Sequence, residues 1–141
     1  MTRHPADYAA LLLRVSMGVL FLAHGLLLKV FTFGPAGTAG YFESIGYPAA
    51  LAYAVILAEI VGGVMLIVGA YVRVVSLALV PVLIGATLQH LPAGWVFSNQ
   101  GGGWEFPAFW TVALLVQALL GAGAYAAVTE TLPARLKARP A

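Results

Sequence analysis

Four long apolar runs divide the chain, at about 8–31, 49–72, 74–91 and 106–128, and each contains only a few polar residues. The first would extend roughly 36 Å as a helix, against a bilayer hydrocarbon core of roughly 30 Å. The pattern therefore predicts an all-α, integral membrane four-transmembrane-helix bundle, a single domain over 1–141 with a basic tail at 129–141. At 100° per residue, Arg14, Gly18, Phe21, Gly25 and Lys29 fall within an arc of about 80° on the first helix, with His24 on its flank. Charge inside a spanning helix is costly, so this face is expected to turn towards protein rather than lipid.

The segments between the runs carry their own signals. Phe33-Gly34-Pro35-Ala36-Gly37 breaks the first helix. Thr38 to Gly46 then reads as a short interfacial helix in the first outer loop, with Thr38 able to cap its start and Gly46 able to close its end. Tyr41, Phe42 and Ile45 share a face of it, which suits either an anchor in the aromatic belt or a lid over a pocket. Pro48 opens the second run, and a very short turn before Arg73 requires the third helix to return antiparallel to the second. Pro81 is expected to kink that third helix. The loop PAGWVFSNQGGGWE mixes aromatics with three consecutive glycines and lacks any phosphate-loop pattern. The first run is too long for a signal-peptide core and lacks a cleavage site, so it reads as a retained helix.

Composition strengthens the membrane reading: 62% of the 141 residues are hydrophobic and 9% charged, where soluble domains average about 25% charged. The net charge of +2 comes from residues set largely in or beside apolar runs, so no nucleic-acid partner is implied. There is no cysteine, which excludes disulfides, thiolate ligands, covalent c-type haem attachment and a thiol relay within this chain. Arg3, Arg73, Arg135, Lys137 and Arg139 collect on the side of the termini, with Arg14 close by, while the other side has Lys29 with Glu43 and Glu105. The positive-inside rule then makes both termini cytoplasmic and the protein multi-pass, with a bacterial inner membrane as the expected location. The basic tail suits anionic lipid headgroups.

Candidate chemistry falls into two groups. Glu59 lies mid-span beside Gly62 and Gly63, and Arg14 is its expected partner in a buried ion pair, either a lock between helices or the floor of a cavity. Gln117 reads as a supporting interhelical hydrogen-bonder, and Gln89 as a supporting polar group beside His90. At the outer ends, His24, Lys29, His90 and Glu105 gather with Trp104 as a candidate binding mouth, offering hydrogen-bond donors, a proton acceptor and apolar walls. No HxxxH or HExxH spacing is present, so no metal site is assigned. Non-covalent haem between His24 and His90 is geometrically conceivable, but no sequence feature turns the two rings towards each other.

Taken together, these residues resemble the DoxX family of small four-helix bacterial membrane proteins. The matching pieces are Arg14-x-x-x-Gly18 with His24-Gly25 and Lys29, Phe42-x-x-x-Gly46-x-Pro48, and Glu59-x-x-Gly62-Gly63 with Gly69 and Arg73. Gln89-His90 with Gly94, and Gly102-Gly103-Trp104-Glu105, complete a resemblance running from about residue 8 to 128. It implies a four-helix bundle and, for some relatives, a membrane subunit in quinone-linked oxidoreduction. Quinone is then the expected cofactor or ligand, with a redox partner protein supplying any further centre. The competing expectation is a non-catalytic module, a homo-oligomer or carrier for a small apolar molecule or partner protein.

Overall fold

The computed structural model describes residues 4–130, so Arg3 and the basic tail at 131–141, with Arg135, Lys137 and Arg139, lie outside the described residues. Helix α1 spans Pro5–Leu22. It begins before the apolar run because Pro5 suits the first helical turn, while the Asp7 carboxylate accepts from the His4 backbone N–H at 2.9 Å. From Ala23 to Thr32 the helix continues with π geometry. The widened turn closes where the Phe33 N–H donates to the Leu28 carbonyl at 2.8 Å. This change matters because i→i+5 hydrogen bonding stacks residues five apart, where an α-helix stacks those three and four apart.

Helix α2, Pro35–Ser44, packs against the π segment and α3, Ala49–Val68. A three-residue turn with Gly69 at φ +76° leads into the antiparallel α4, Val72–His90. After a single 3₁₀ turn and the second long loop, α5 runs from Glu105 to Leu120. Three helical stretches are long and apolar enough to cross a membrane: Pro5–Thr32, Ala49–Val68 and Val72–Ala93. Helix α5 has 16 residues, roughly 24 Å, short of a full hydrocarbon core.

The expectation of a helix through residue 128 is therefore corrected. Gly121 and Gly123 adopt φ +83° and +67°, and the chain leaves α5 to run along the ends of α1 and α3. The Ala124 N–H donates to the Asp7 carbonyl at 2.9 Å, and the Ala127 and Val128 N–H groups donate to Val68 and Gly69 at 3.0 and 3.1 Å. The alanine–glycine tract at the end of the fourth apolar run is a strap across the base of the bundle.

Packing follows the small residues. A Cβ on Gly18 would sit 2.7 Å from the Gly63 carbonyl, so α1 and α3 meet almost backbone to backbone. Met17, Phe21, Leu66, Leu79, Trp110 and Leu114 fill the centre. Leu12, Leu57, Leu77 and Leu119 face outwards, the arrangement expected where lipid replaces water around the bundle.

Arg14 is 1% exposed, and it does not meet Glu59. Its guanidinium donates to the carbonyls of Leu66 at 2.8 Å, Ala122 at 2.9 Å, Ala124 at 3.0 Å and Tyr125 at 3.1 Å, and also to Ile67. The glycine contacts fix this outcome. They set Gly18 against Gly63 and Gly25 against Glu59, so Glu59 lies roughly 16 Å along the first helix from Arg14. Arg14 instead satisfies the open carbonyls at the end of α3 and ties the strap to them. Arg73 does the same for α5, donating to Leu119 at 2.8 Å and also to Ala118.

Candidate functional site

At the end of the bundle away from Arg14, a cavity of about 440 Å³ lies between the π segment, α2, α3, α4 and α5. Most of its wall is apolar, with Leu51, Val55, Val82, Leu83 and Phe106 among the contributors. Helix α2 forms its cover: Tyr41, Phe42 and Ile45 line the cavity, which favours the lid over the plain belt anchor. The lid is tied at two points. The buried Thr38 hydroxyl donates to the Lys29 carbonyl at 3.0 Å, and the Gln89 amide donates to the Tyr47 hydroxyl at 2.9 Å.

The polar groups inside are few and specific. Lys29 is the partner of Glu59, with Nζ 2.7 Å from Oε2 and 2.9 Å from Oε1. The π geometry brings Lys29 to the cavity together with His24, five residues earlier; on α-helical spacing the two would point about 140° apart. Two of the three ammonium N–H groups serve the carboxylate and one remains. His24 Nδ1 lies 2.9 Å from the Leu20 carbonyl; a carbonyl only accepts, so Nδ1 is the donor of that pair and Nε2 is left as the ring's other hydrogen-bonding atom.

Trp110 packs beside them, its ring centroid 5.2 Å from His24 and 4.4 Å from Phe21. Its indole N–H is buried and has no hydrogen-bond partner among the described residues. A buried, unmade hydrogen bond is costly, and here it sits on a residue that lines a cavity. His90 enters from the end of α4 with Nδ1 2.9 Å from the Gly101 carbonyl. Gly102, at φ +78°, packs so closely that a Cβ there would lie 3.3 Å from that nitrogen, which explains part of the glycine run.

The residues singled out from sequence are thus divided. His24, Lys29, Gln89 and His90 line the cavity. Trp104 and Glu105 do not: Trp104 packs edge-on against Trp95 at 4.4 Å, and the Glu105 carboxylate accepts from the Phe97 N–H at 2.9 Å. Gln117, expected to bond between helices, donates to the Gly121 carbonyl at 2.7 Å and so closes its own helix end. Glu59 joins the cavity wall through Lys29, and Trp110 lines the cavity although nothing in the sequence pattern singles it out from the other aromatics. Among the described residues no group of three or more His, Cys, Asp or Glu side chains could hold a metal ion.

Comparison with known proteins places these features in context. The DoxX family model matches residues 9–99, a stretch that contains His24, Lys29, Glu59, Gln89 and His90. A protein of Bacillus subtilis strain 168 named "Putative oxidoreductase CatD" is 39% identical over 82 residues, covering 58% of this chain and 59% of the relative. No solved structure matches the chain.

Proposed function

The chain belongs to the DoxX family, and from that premise we propose that it is a membrane subunit of a quinone-linked oxidoreductase system. It binds a quinone or similar small apolar molecule in the cavity beneath α2. It sits in the bacterial inner membrane as four spans with both ends cytoplasmic, α5 supplying the fourth. The name of the Bacillus subtilis relative supports the oxidoreductase side of this reading.

The observation that carries the ligand reading is an apolar cavity of about 440 Å³ whose lining sets His24 and the Lys29–Glu59 pair among hydrocarbon and aromatic side chains. That volume lies within the range typical of small-molecule sites. A quinone supplies two-electron carrier chemistry when bound, and its ring oxygens are acceptors when oxidised and donors when reduced. The residues present fit both forms. The spare Lys29 N–H donates to a ring carbonyl, while His24 Nε2 and the Glu59 carboxylate accept from a ring hydroxyl. The lid and the aromatic walls exclude water from that exchange. The chain has no cysteine, so a partner protein carrying flavin, metal or thiol is the expected source of electrons.

Titration of the purified protein with a short-chain ubiquinone or menaquinone analogue tests this directly. Saturable binding is expected. His24→Phe should weaken it about tenfold, the worth of one hydrogen bond, and His90→Ala should weaken it as well. No saturable binding to the native protein sinks the ligand reading.

A further inference from the structure

A second concavity adjoins the first. It is a groove of about 870 Å³ on the outside of the bundle, running from the second long loop down the first half of α5. His90, Phe106 and Pro107 line both spaces, so the cavity and the groove are separated by a single layer of side chains. Past that shared wall, the groove is bounded by Ala108, Phe109 and Val112. Phe109 is 71% exposed and Val112 53%, on the outer face of α5, which the proposed topology turns to lipid. The one carboxylate, Glu105, stands at the loop end and is engaged by the Phe97 N–H, leaving the helical stretch of the groove apolar.

From this juxtaposition we infer that the groove is a subsite for an apolar chain attached to the ring held in the cavity, and that the ligand passes between lipid and cavity beside Phe106. The inference rests on the ligand reading above and specifies its class: a ring with polar oxygens carrying a linear hydrocarbon tail. The polarity is ordered to match. The cavity holds Lys29, Glu59 and His24, the groove has Glu105 and His90 only at its loop end, and beyond Phe106 it offers hydrocarbon contact. A ring without a tail would leave the groove to lipid. A folded protein partner would find few hydrogen-bonding or charged groups along Ala108–Val112 to recognise. The relevant specificity residues are Ala108 and Val112, which line the groove and not the cavity.

The test compares two ligands on the full chain in lipid nanodiscs: a methyl-substituted benzoquinone, and the same ring bearing a decyl chain. Native protein is expected to bind the decyl compound about a hundredfold more tightly, since buried methylene groups add affinity cumulatively. Ala108→Phe and Val112→Phe fill the groove; each should remove most of that increment and leave the affinity for the tailless ring unchanged. Retained binding of the tailless ring also shows that both variants fold. An increment that persists in both variants reflects partition into lipid and overturns the subsite. No increment in native protein, including the case of a lipid chain too firmly held to be displaced, overturns it equally. Failure of the tailless ring to bind native protein is a separate result, which removes the cavity reading itself.

Discussion

Inside the bundle, the buried Arg14 and the partly buried Lys29 solve the same problem in opposite ways. Arg14 has no acid beside it and spreads its fork over backbone carbonyls; Lys29 gives two N–H groups to one carboxylate. Breaking a buried pair by removing one partner leaves a stranded charge, at a cost of about 3–5 kcal/mol, whereas replacing both with apolar groups of similar volume is often close to neutral. Lys29→Met alone should therefore lower thermal stability by about that amount. The double variant Lys29→Met/Glu59→Leu should recover most of the loss yet bind no quinone analogue, a separation read by thermal unfolding and ligand titration on the same samples. The identity of the costly residues was legible in the sequence; their pairing was not. Arg14 and Glu59 looked like natural partners because Lys29 was grouped with His24 at the outer mouth, and only the register set by Gly18 against Gly63 and Gly25 against Glu59 excludes it.

At the scale of elements, the first three apolar runs located the three helical stretches long and apolar enough to cross a membrane, and Phe33-Gly34-Pro35 located the break before α2. Two features escaped. The π geometry of Ala23–Thr32 leaves no mark in apolar periodicity, yet it places His24 and Lys29 together. The strap was hidden because alanine and glycine suit both a close-packed helix and a tight reversal, and the guanidinium that selects the reversal comes from α1. Close packing beside the π segment predicts a sharp contrast. A Cβ on Gly25 would fall 2.8 Å from the Glu59 Cβ, so Gly25→Ala should destabilise by about 1–3 kcal/mol and disturb the ion pair. Gly37→Ala, on the open face of α2, meets nothing within 4 Å and should be neutral or slightly stabilising by its helix propensity. For the strap, Arg14→Lys keeps the charge but loses the fork that reaches both α3 and residues 122–125. Hydrogen exchange at the Ala124, Ala127 and Val128 amides should then accelerate, while amides in the middle of α4 stay protected.

For the whole molecule, the bundle has two unlike ends. One carries Arg14, Arg73 and the strap, all committed to closing helix termini; the other carries the lid, the cavity and the groove. This division of labour is consistent with basic residues concentrating at the first end, because the open carbonyls of α3 and α5 lie there and cations suit helix C-termini. The proposed orientation, with that end cytoplasmic, can be checked without removing any native thiol because the chain has no cysteine. Ser98→Cys lies in the second long loop and Thr129→Cys beyond the strap; both positions are exposed. In intact bacterial spheroplasts, a membrane-impermeant maleimide should label Ser98→Cys and leave Thr129→Cys unlabelled until the membrane is opened. The reverse pattern would put the cavity mouth on the cytoplasmic side, and the partner supplying electrons would then have to be sought there. Labelling at both positions in sealed cells would mean that residues 105–128 do not cross the bilayer, the outcome that the 16-residue length of α5 makes worth measuring.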